Sequence, residues 1–314
     1  MRYKAGAGVG FPLTRLSYAG PTALAPSYLY HLCCLRYILN YPVLKSRVEY
    51  HRLGSTGEKI STIGMGTWRI GSYATPGERT SQVNALKRGV ELGINHIDTA
   101  EMYHSGRSEE VVGEAVKGIR KDVFIASKVA PGHLRHDDVI AACKGSLKRL
   151  DTSYVDLYMV HWPDSKVPIK ETMSAMEKLV EDGLVRFIGV SNFSVAETEA
   201  ARTALPKSEL VSNQVEYSLE ARTVEADVLP YCSKEKLTLI AYSPLARGNI
   251  TNSIPEALLH KYKMTAAQAM LNWVTRSENV VAIPKATKIV HLEENAAAVS
   301  RRFTPDEYEQ LSKI

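Results

Sequence analysis

Four side chains of the kinds that transfer protons in enzymes stand at the ends of three short apolar stretches. Asp98 and Tyr103 follow "INHI", Lys128 lies near the end of "VFIASKV", and His161 lies near the end of "VDLYMVHW". Runs of this length and composition are typical of buried strands. Because the carboxyl ends of parallel strands converge on one face of an α/β fold, we expect the four side chains to meet there.

These side chains predict one kind of chemistry. A tyrosine hydroxyl has an ordinary pKa of about 10 and is a weak acid near neutral pH. An ammonium such as that of Lys128 stabilises the phenolate and is expected to lower the pKa of Tyr103, while Asp98 keeps Lys128 charged and in place. His161 could donate a hydrogen bond to a substrate oxygen. The set suits protonation of a carbonyl oxygen as negative charge develops on it.

Each residue alone also has a structural interpretation. Asp98 could cap a turn, Tyr103 could be half-buried at the surface, Lys128 could be a solvated charge, and His161 could be a hydrogen-bonded core histidine. Their joint placement at three successive strand ends is what favours catalysis.

From Ile60 onward, short β-branched runs alternate with longer stretches of helical periodicity. The predicted strands occupy residues 61–68, 94–100, 123–129, 155–162, 185–193, 210–217, 238–245 and 280–286, and a helical stretch follows each one. The first of these stretches is "SQVNALKRGVELG" (81–93), and the one after residues 238–245 is longer and ends near Arg276. Helix starts are indicated by Ser194 with Glu197 and by Thr304–Pro305 with Glu307. This alternation predicts a (β/α)8 TIM barrel, which typically has about 250 residues. The alternative, a doubly wound open sheet, normally has a glycine-rich first turn, which this region lacks.

The composition is that of an ordinary globular protein. Hydrophobic residues make up 45% of the 314 residues and charged residues 23%, which allows a sizeable core. No apolar run approaches the ~18 residues of a membrane-spanning helix, so no membrane partner is expected. The cysteines, Cys33, Cys34, Cys143 and Cys232, have neither metal-ligand spacing nor the density of a disulfide scaffold. We therefore expect no metal and a reducing, cytoplasmic location.

The first 48 residues differ from the rest. They carry six basic side chains and no acidic one, whereas the whole chain has a net charge of +5, so the remainder is close to neutral. A near-neutral main domain argues against nucleic acid as its partner. We interpret residues 1–48 as an N-terminal extension that is poorly ordered or not part of the mature barrel, with a transit segment as an alternative, and residues 49–314 as the barrel domain.

The motifs of residues 50–314 resemble those of the aldo-keto reductase family. They are "GMGTW" (64–68), "HIDTAEMYHSGRSEEVVG" (96–113), "IASKV" (125–129), "VDLYMVHWP" (155–163), "IGVSNF" (188–193), "NQVEY" (213–217), "AYSPLARG" (241–248) and "IPKA" followed by "EEN" (283–295). The resemblance implies a TIM barrel closed at its base by an N-terminal β-hairpin, near "YHRLGSTGEKISTIG". It implies reduction of aldehydes and ketones, sugar-derived carbonyls among them, with hydride from a nicotinamide. Tyr103 would be the general acid, Asp98 and Lys128 would tune it, and His161 would orient the carbonyl.

The resemblance also implies a cofactor site along the barrel mouth. Its residues would be Gly66, Thr67, Trp68, Ser191, Asn192, Gln214, Tyr242, Ser243, Leu245, Gly248, Lys285, Ala286, Thr287, His291, Glu294 and Asn295. Of these, Ser191, Asn192 and Gln214 would hold the carboxamide, and Tyr242 would stack on the nicotinamide ring. Many relatives grip the 2′-phosphate with an arginine where this chain has His291, so we expect NADPH as the cofactor with NADH as a possible alternative.

The substrate site implied by the resemblance comprises Trp68, Tyr103, His161 and Trp162, with Tyr73 as a further wall residue. The sequence ends with "PDEYEQLSKI", which resembles the short bacterial and archaeal type of the family, with an open mouth. We expect a monomer or a weak oligomer. One alternative is a cofactor-binding regulatory or structural subunit on the same barrel with little turnover. Another is a barrel hydrolase, which the single carboxylate near His161 disfavours.

Overall fold

The structure, a computed structural model, describes residues 48–250 and 253–314. The interpretation of the N-terminal extension therefore falls almost entirely outside the described residues. The strands are β1 (Tyr50–Arg52), β2 (Lys59–Ser61), β3 (Met65–Gly66), β4 (His96–Asp98), β5 (Phe124–Val129), β6 (Val155–Val160), β7 (Val185–Ser191), β8 (Leu210–Glu216), β9 (Thr238–Tyr242) and β10 (Val280–Ala282).

Strands β3 to β10 form one parallel sheet in sequence order, and its two ends meet. Bridges join Ile63 to Ala282 and Gly66 to Lys285, and the Gly64 N–H donates to the Ala282 carbonyl oxygen at 2.8 Å. The approach is close, because a Cβ on Gly66 would lie 2.4 Å from the Ile283 carbonyl oxygen. The predicted TIM barrel is therefore confirmed, and its closure requires a residue without a side chain at position 66.

The predicted N-terminal hairpin is also confirmed. Strands β1 and β2 pair antiparallel, with Tyr50 opposite Ser61. The hairpin side chains Leu53 and Ile60 are fully buried in the same apolar cluster as Phe124 and Leu157 of the barrel interior. Because those apolar side chains fill the barrel from below, the hairpin closes its base and leaves polar strand ends at the opposite face.

The helices cover the outside of the barrel. They are α1 (Pro76–Glu91), α2 (Arg107–Val116), α3 (His136–Leu150), α4 (Ile169–Glu181), α5 (Val195–Thr203), α6 (Val228–Lys234), α7 (Glu256–Tyr262), α8 (Ala266–Val274), α9 (Ile289–Ala296) and α10 (Pro305–Leu311). Their apolar faces pack on the outward-facing strand residues in two large buried clusters. The predicted capping boxes at Ser194 and Thr304 are both present.

Two helix boundaries differ from the sequence-based expectation. Helix α1 begins at Pro76, five residues before the predicted stretch, because the Thr75 hydroxyl accepts the Glu78 N–H and caps it. The helical region predicted to run continuously to near Arg276 is split into α7 and α8. Lys263 adopts a left-handed conformation with φ of 53°, and Thr265 then starts α8 with a capping box.

Among the described residues, no helix is long and apolar enough to cross a membrane. No group of three or more His, Cys, Asp or Glu side chains among them is arranged to hold a metal ion.

Candidate active site

The parallel register brings Asp98 and Lys128 together at the carboxyl ends of β4 and β5. Asp98 pairs with Ala126 across these strands, and since side chains alternate, Asp98 and Lys128 both face the barrel interior. Both are fully buried. The Lys128 Nζ donates to Asp98 Oδ1 at 2.6 Å, to the Thr99 carbonyl oxygen at 2.9 Å and to the Tyr103 hydroxyl at 3.4 Å. The three donors of the ammonium are thereby all used, and one of them is aimed at Tyr103.

Gln214 holds the second oxygen of Asp98. Its Nε2 donates to Asp98 Oδ2 at 2.8 Å from β8, on the opposite side of the barrel. A carboxylate only accepts hydrogen bonds, so this contact fixes which end of the amide faces Asp98. Gln214 was predicted only to hold the carboxamide of the cofactor. The contact with Asp98 shows that it also orients that carboxylate.

The ionisation of this group depends on burial as well as on charge. Burial raises the pKa of the Tyr103 hydroxyl, and the nearby Lys128 ammonium opposes this only in part. The expectation that Lys128 lowers the pKa of Tyr103 below its ordinary value is therefore wrong in its net direction, because it ignored desolvation. Burial favours the neutral form of Lys128, but attraction to Asp98 outweighs it and the pKa of Lys128 is raised. Tyr103 is thus protonated, and Lys128 charged, near neutral pH.

His161 follows β6 directly and faces Tyr103. Their ring centroids are 5.7 Å apart, with the rings nearly perpendicular. Burial, reinforced by the positive charge of Lys128, lowers the pKa of His161 to about 3. His161 is therefore neutral near pH 7 and has one N–H to donate. Its buried Nδ1 has no hydrogen-bond partner among the described residues.

The residues predicted to hold the carboxamide also lie together. The Ser191 hydroxyl donates to the Gln214 carbonyl oxygen at 2.9 Å, and the Asn192 Nδ2 donates to the His161 carbonyl oxygen at 3.0 Å. The Tyr242 hydroxyl donates to Asn192 Oδ1 at 2.9 Å. Asn192 has a left-handed φ of 62°, an uncommon backbone conformation that these contacts maintain. A flat aromatic ring and amide groups beside a proton donor form a surface suited to a planar ring with an amide substituent.

The loop after β9 has an unusual backbone. Ser243, Ala246 and Arg247 have φ of 51°, 46° and 59°, in the left-handed region that non-glycine residues seldom adopt. Ser243, Leu245 and Gly248 of this loop are among the residues predicted to bind the cofactor. Such local strain is typical of ligand-binding segments.

Two basic side chains, Arg69 and Lys285, lie beside β3, the first strand of the barrel. The pKa of Lys285 is lowered by partial burial and by repulsion from Arg69, so these two cations lie close together. Neither forms an ion pair within the described residues, and the Arg69 guanidinium lies 4.5 Å from the centroid of the Trp68 ring. Two neighbouring cations without a carboxylate suit an anionic ligand. The sequence analysis missed Arg69, although a basic residue directly after "GMGTW" was a visible signal.

The remaining predicted cofactor residues differ in what they offer. Gly66 and Thr67 are buried, and the Thr67 hydroxyl donates to the Asp98 carbonyl oxygen at 2.9 Å. On helix α9, His291 is exposed and its Nδ1 lies 3.3 Å from a carboxylate oxygen of Glu294. The other Glu294 oxygen accepts a 2.6 Å hydrogen bond from the Thr265 hydroxyl. Asn295 and Ala286 are buried, and Thr287 is half-buried. Thr67 thus holds the backbone of Asp98 in place.

Three large apolar side chains are exposed where the strands end. Trp68 and Trp162 were predicted as substrate contacts, and Met102, which the sequence analysis missed, directly precedes Tyr103. Tyr73 instead packs on the outer core, and its hydroxyl accepts a 2.6 Å hydrogen bond from Arg79. Its predicted role in the substrate wall stays a prediction.

Comparisons with known proteins agree with this architecture. Residues 62–314 match the model of the aldo/keto reductase family. The chain is 40% identical over 260 residues to the methylglyoxal reductase YeaE of Escherichia coli (strain K12), covering 81% of this chain and 90% of that protein. It is similar to the crystal structure of a thermostable aldo-keto reductase in complex with the inhibitor epalrestat, with a TM-score of 0.80 and 43% identity over 84% of this chain and 99% of that one. An aldo/keto reductase from Klebsiella pneumoniae, crystallised with NADP and acetate, has a TM-score of 0.77 and 38% identity over 85% of this chain and 95% of its own. The chain therefore belongs to the aldo/keto reductase family of oxidoreductases.

Proposed function

We propose that this protein reduces aldehydes and ketones to alcohols with NADPH, and that Tyr103 is the proton donor. The observation that carries the proposal is the arrangement around Lys128. Its ammonium is held by Asp98 and directed at the Tyr103 hydroxyl, at the face of the barrel where the strands end.

The proposed roles follow from the protonation states. A nicotinamide held by Asn192, Gln214 and Tyr242 would supply the hydride for the carbonyl carbon. The Tyr103 hydroxyl gives its proton to the carbonyl oxygen, and Lys128 stabilises the phenolate that this transfer leaves. Neutral His161 donates a hydrogen bond to the same oxygen and fixes its orientation. The phenolate then recovers a proton from water, which completes the proton balance.

The cofactor assignment rests on the donor set of this chain and on its relatives. Tyr242, Asn192, Ser191 and Gln214 provide a flat ring and amide-binding groups, while Lys285 with Arg69 provides charge for phosphate groups. Relatives crystallised with NADP and with NADPH support NADPH over NADH. The 2′-phosphate would then be bound by Lys285, Lys288 and His291 without the bidentate clamp of an arginine.

The substrate class follows from the mouth of the barrel and from the relatives. Trp68 and Trp162 are exposed after β3 and β6, at the face of the barrel where the strands end. A methylglyoxal reductase at 40% identity favours small reactive carbonyls as substrates. A cytoplasmic location and a monomeric or weakly oligomeric state remain predictions.

The test follows the absorbance of reduced nicotinamide during incubation with methylglyoxal and a panel of aldehydes, with NADPH and NADH in parallel. We expect turnover with NADPH, and we expect Tyr103→Phe to lower kcat at least ~10²-fold with little change in NADPH affinity. Tyr50→Phe is the matched control, because Tyr50 lies on the hairpin at the base, where its hydroxyl donates to the Gly93 carbonyl oxygen. Turnover of Tyr103→Phe at the wild-type rate would remove Tyr103 from the mechanism. Tight NADPH binding with no turnover of any carbonyl would favour a regulatory or structural subunit instead.

A further inference from the structure

The segment that carries Tyr103 is attached to the next loop by a carboxylate that has no part in the proposed proton transfer. Glu101 lies two residues before Tyr103, in the connection between β4 and α2. Its Oε1 accepts the Ala130 N–H at 2.6 Å and lies 3.0 Å from the His133 Nδ1. Ala130 and His133 belong to the connection between β5 and α3, directly after the strand that carries Lys128. The Glu101 side chain is only 10% exposed.

The turn after Tyr103 needs such attachment. His104 and Ser105 have φ of 49° and 55°, and both side chains are exposed. Left-handed backbone is strained for a non-glycine residue, and it persists only where surrounding contacts hold it. Since exposed side chains provide little packing, the restraint must come from residues next to the turn.

The distance between Tyr103 and Lys128 makes this restraint relevant to catalysis. The 3.4 Å from Nζ to the hydroxyl is already long for a hydrogen bond, whose usual range is about 2.7–3.2 Å. A relaxation of the turn that moved Tyr103 outward by roughly 1 Å would break this contact, and misplacement of that size can cost ~10²-fold in rate.

We propose that Glu101 is a positioning residue that holds Tyr103 against Lys128 by joining the two loops on which they lie. The proposal rests on the proposed reductase function for its effect on rate. Glu101 acts on the Ala130 N–H and on His133, and it makes no hydrogen bond to Tyr103 itself. A hydrogen bond between a carboxylate and a partly buried backbone N–H is charge-assisted and short, which makes it an effective restraint.

The decisive comparison is between Glu101→Ala and Glu101→Gln. The alanine variant removes the acceptor for the Ala130 N–H, whereas the glutamine variant keeps an oxygen at that position and loses only the charge. We expect Glu101→Ala to lower kcat at least ~10-fold with NADPH affinity within about twofold of wild type, and Glu101→Gln to recover kcat to within about threefold. A residue that only stabilised the fold would change the melting temperature without this difference between kcat and binding.

Glu171→Ala is a matched control. Glu171 also accepts a backbone N–H, that of His136 at 3.3 Å, and also contacts a basic side chain of the β5–α3 connection, Arg135 at 3.1 Å. It lies on α4 and has no contact with the turn. We expect its kcat to match wild type. Equal losses of kcat in Glu101→Ala and Glu171→Ala would overturn the proposal, as would a Glu101→Ala variant with wild-type kcat.

Backbone hydrogen exchange provides a measurement that does not depend on turnover. We expect amides in residues 99–106 to exchange faster in Glu101→Ala than in wild type, and at the wild-type rate in Glu101→Gln. Unchanged exchange in the alanine variant would overturn the proposal. If wild type turned over no carbonyl, the proposed function would fail, and exchange alone would still decide whether Glu101 restrains the turn.

Discussion

The buried pair of Asp98 and Lys128 allows stability and catalysis to be separated by substitution. Lys128→Met keeps the volume of the side chain and removes its charge, so Asp98 remains buried with Gln214 as its one side-chain donor. Breaking a buried ion pair in this way costs about 3–5 kcal/mol, because the remaining charge is uncompensated. For a domain of this size, ~1 kcal/mol corresponds to roughly 2 °C, so we expect the melting temperature to fall by about 6–10 °C.

The double variant Asp98→Asn/Lys128→Met has neither charge but retains an oxygen for Gln214. We expect its free energy of unfolding to return to within about 2 kcal/mol of wild type, since neutral replacements of buried pairs are often tolerated. Its kcat should stay as low as that of the single variant, because Tyr103 has no ammonium to stabilise its phenolate. Urea unfolding followed by near-UV circular dichroism measures the first quantity, and NADPH oxidation measures the second. A double variant as unstable as Lys128→Met would refute the argument that uncompensated charge causes the loss.

Two further predictions concern backbone closure and pH. Gly66→Ala should lower the free energy of unfolding by at least ~2 kcal/mol, because its Cβ would meet the Ile283 carbonyl oxygen at 2.4 Å. The control Gly118→Ala, with φ of 85° and nothing within 4 Å of its Cβ, should lower it by only ~1 kcal/mol. Equal losses of the two variants in urea unfolding would contradict the argument that Gly66 is needed to close the barrel. Burial lowers the pKa of His96 to about 4, and burial together with the charge of Lys128 lowers the pKa of His161 to about 3. Both values lie below the ordinary value of about 6.5, so the unfolded chain binds more protons than the folded protein does. The free energy of unfolding should therefore fall as the pH drops from about 6.5 to 4.5, by about 2 kcal/mol for each histidine at pH 5. Urea midpoints that did not change between pH 7 and pH 5 would contradict this assignment, and His96→Leu should remove about half of the change.

Much of the barrel could be predicted from the sequence because its signals are local. The order of strands and helices follows from hydrophobic periodicity, and the starts of two helices follow from capping boxes at Ser194 and Thr304. The two missed boundaries also had local signals, since Thr75–Pro76 precedes Glu78 and Thr265 precedes Gln268. The sequence therefore contained the capping residues that mark the starts of both helices.

The four candidate catalytic residues were found for a related reason. Each lies at or just beyond the carboxyl end of a strand, and parallel strands in sequence order must bring such ends to one face. The sequence could therefore identify Asp98, Tyr103, Lys128 and His161 as neighbours before any distance was known.

Only the tertiary structure decided properties that depend on residues far apart in the chain. The raised pKa of Tyr103 follows from burial, which no spacing reveals. The contact between Gln214 and Asp98 joins residues 116 positions apart, and the contact between Glu101 and Ala130 joins two loops. Local sequence thus determined the elements and which residues lie at their ends. Desolvation and cross-loop hydrogen bonds, which exist only after the barrel closes, determined the protonation states and how firmly those residues are held.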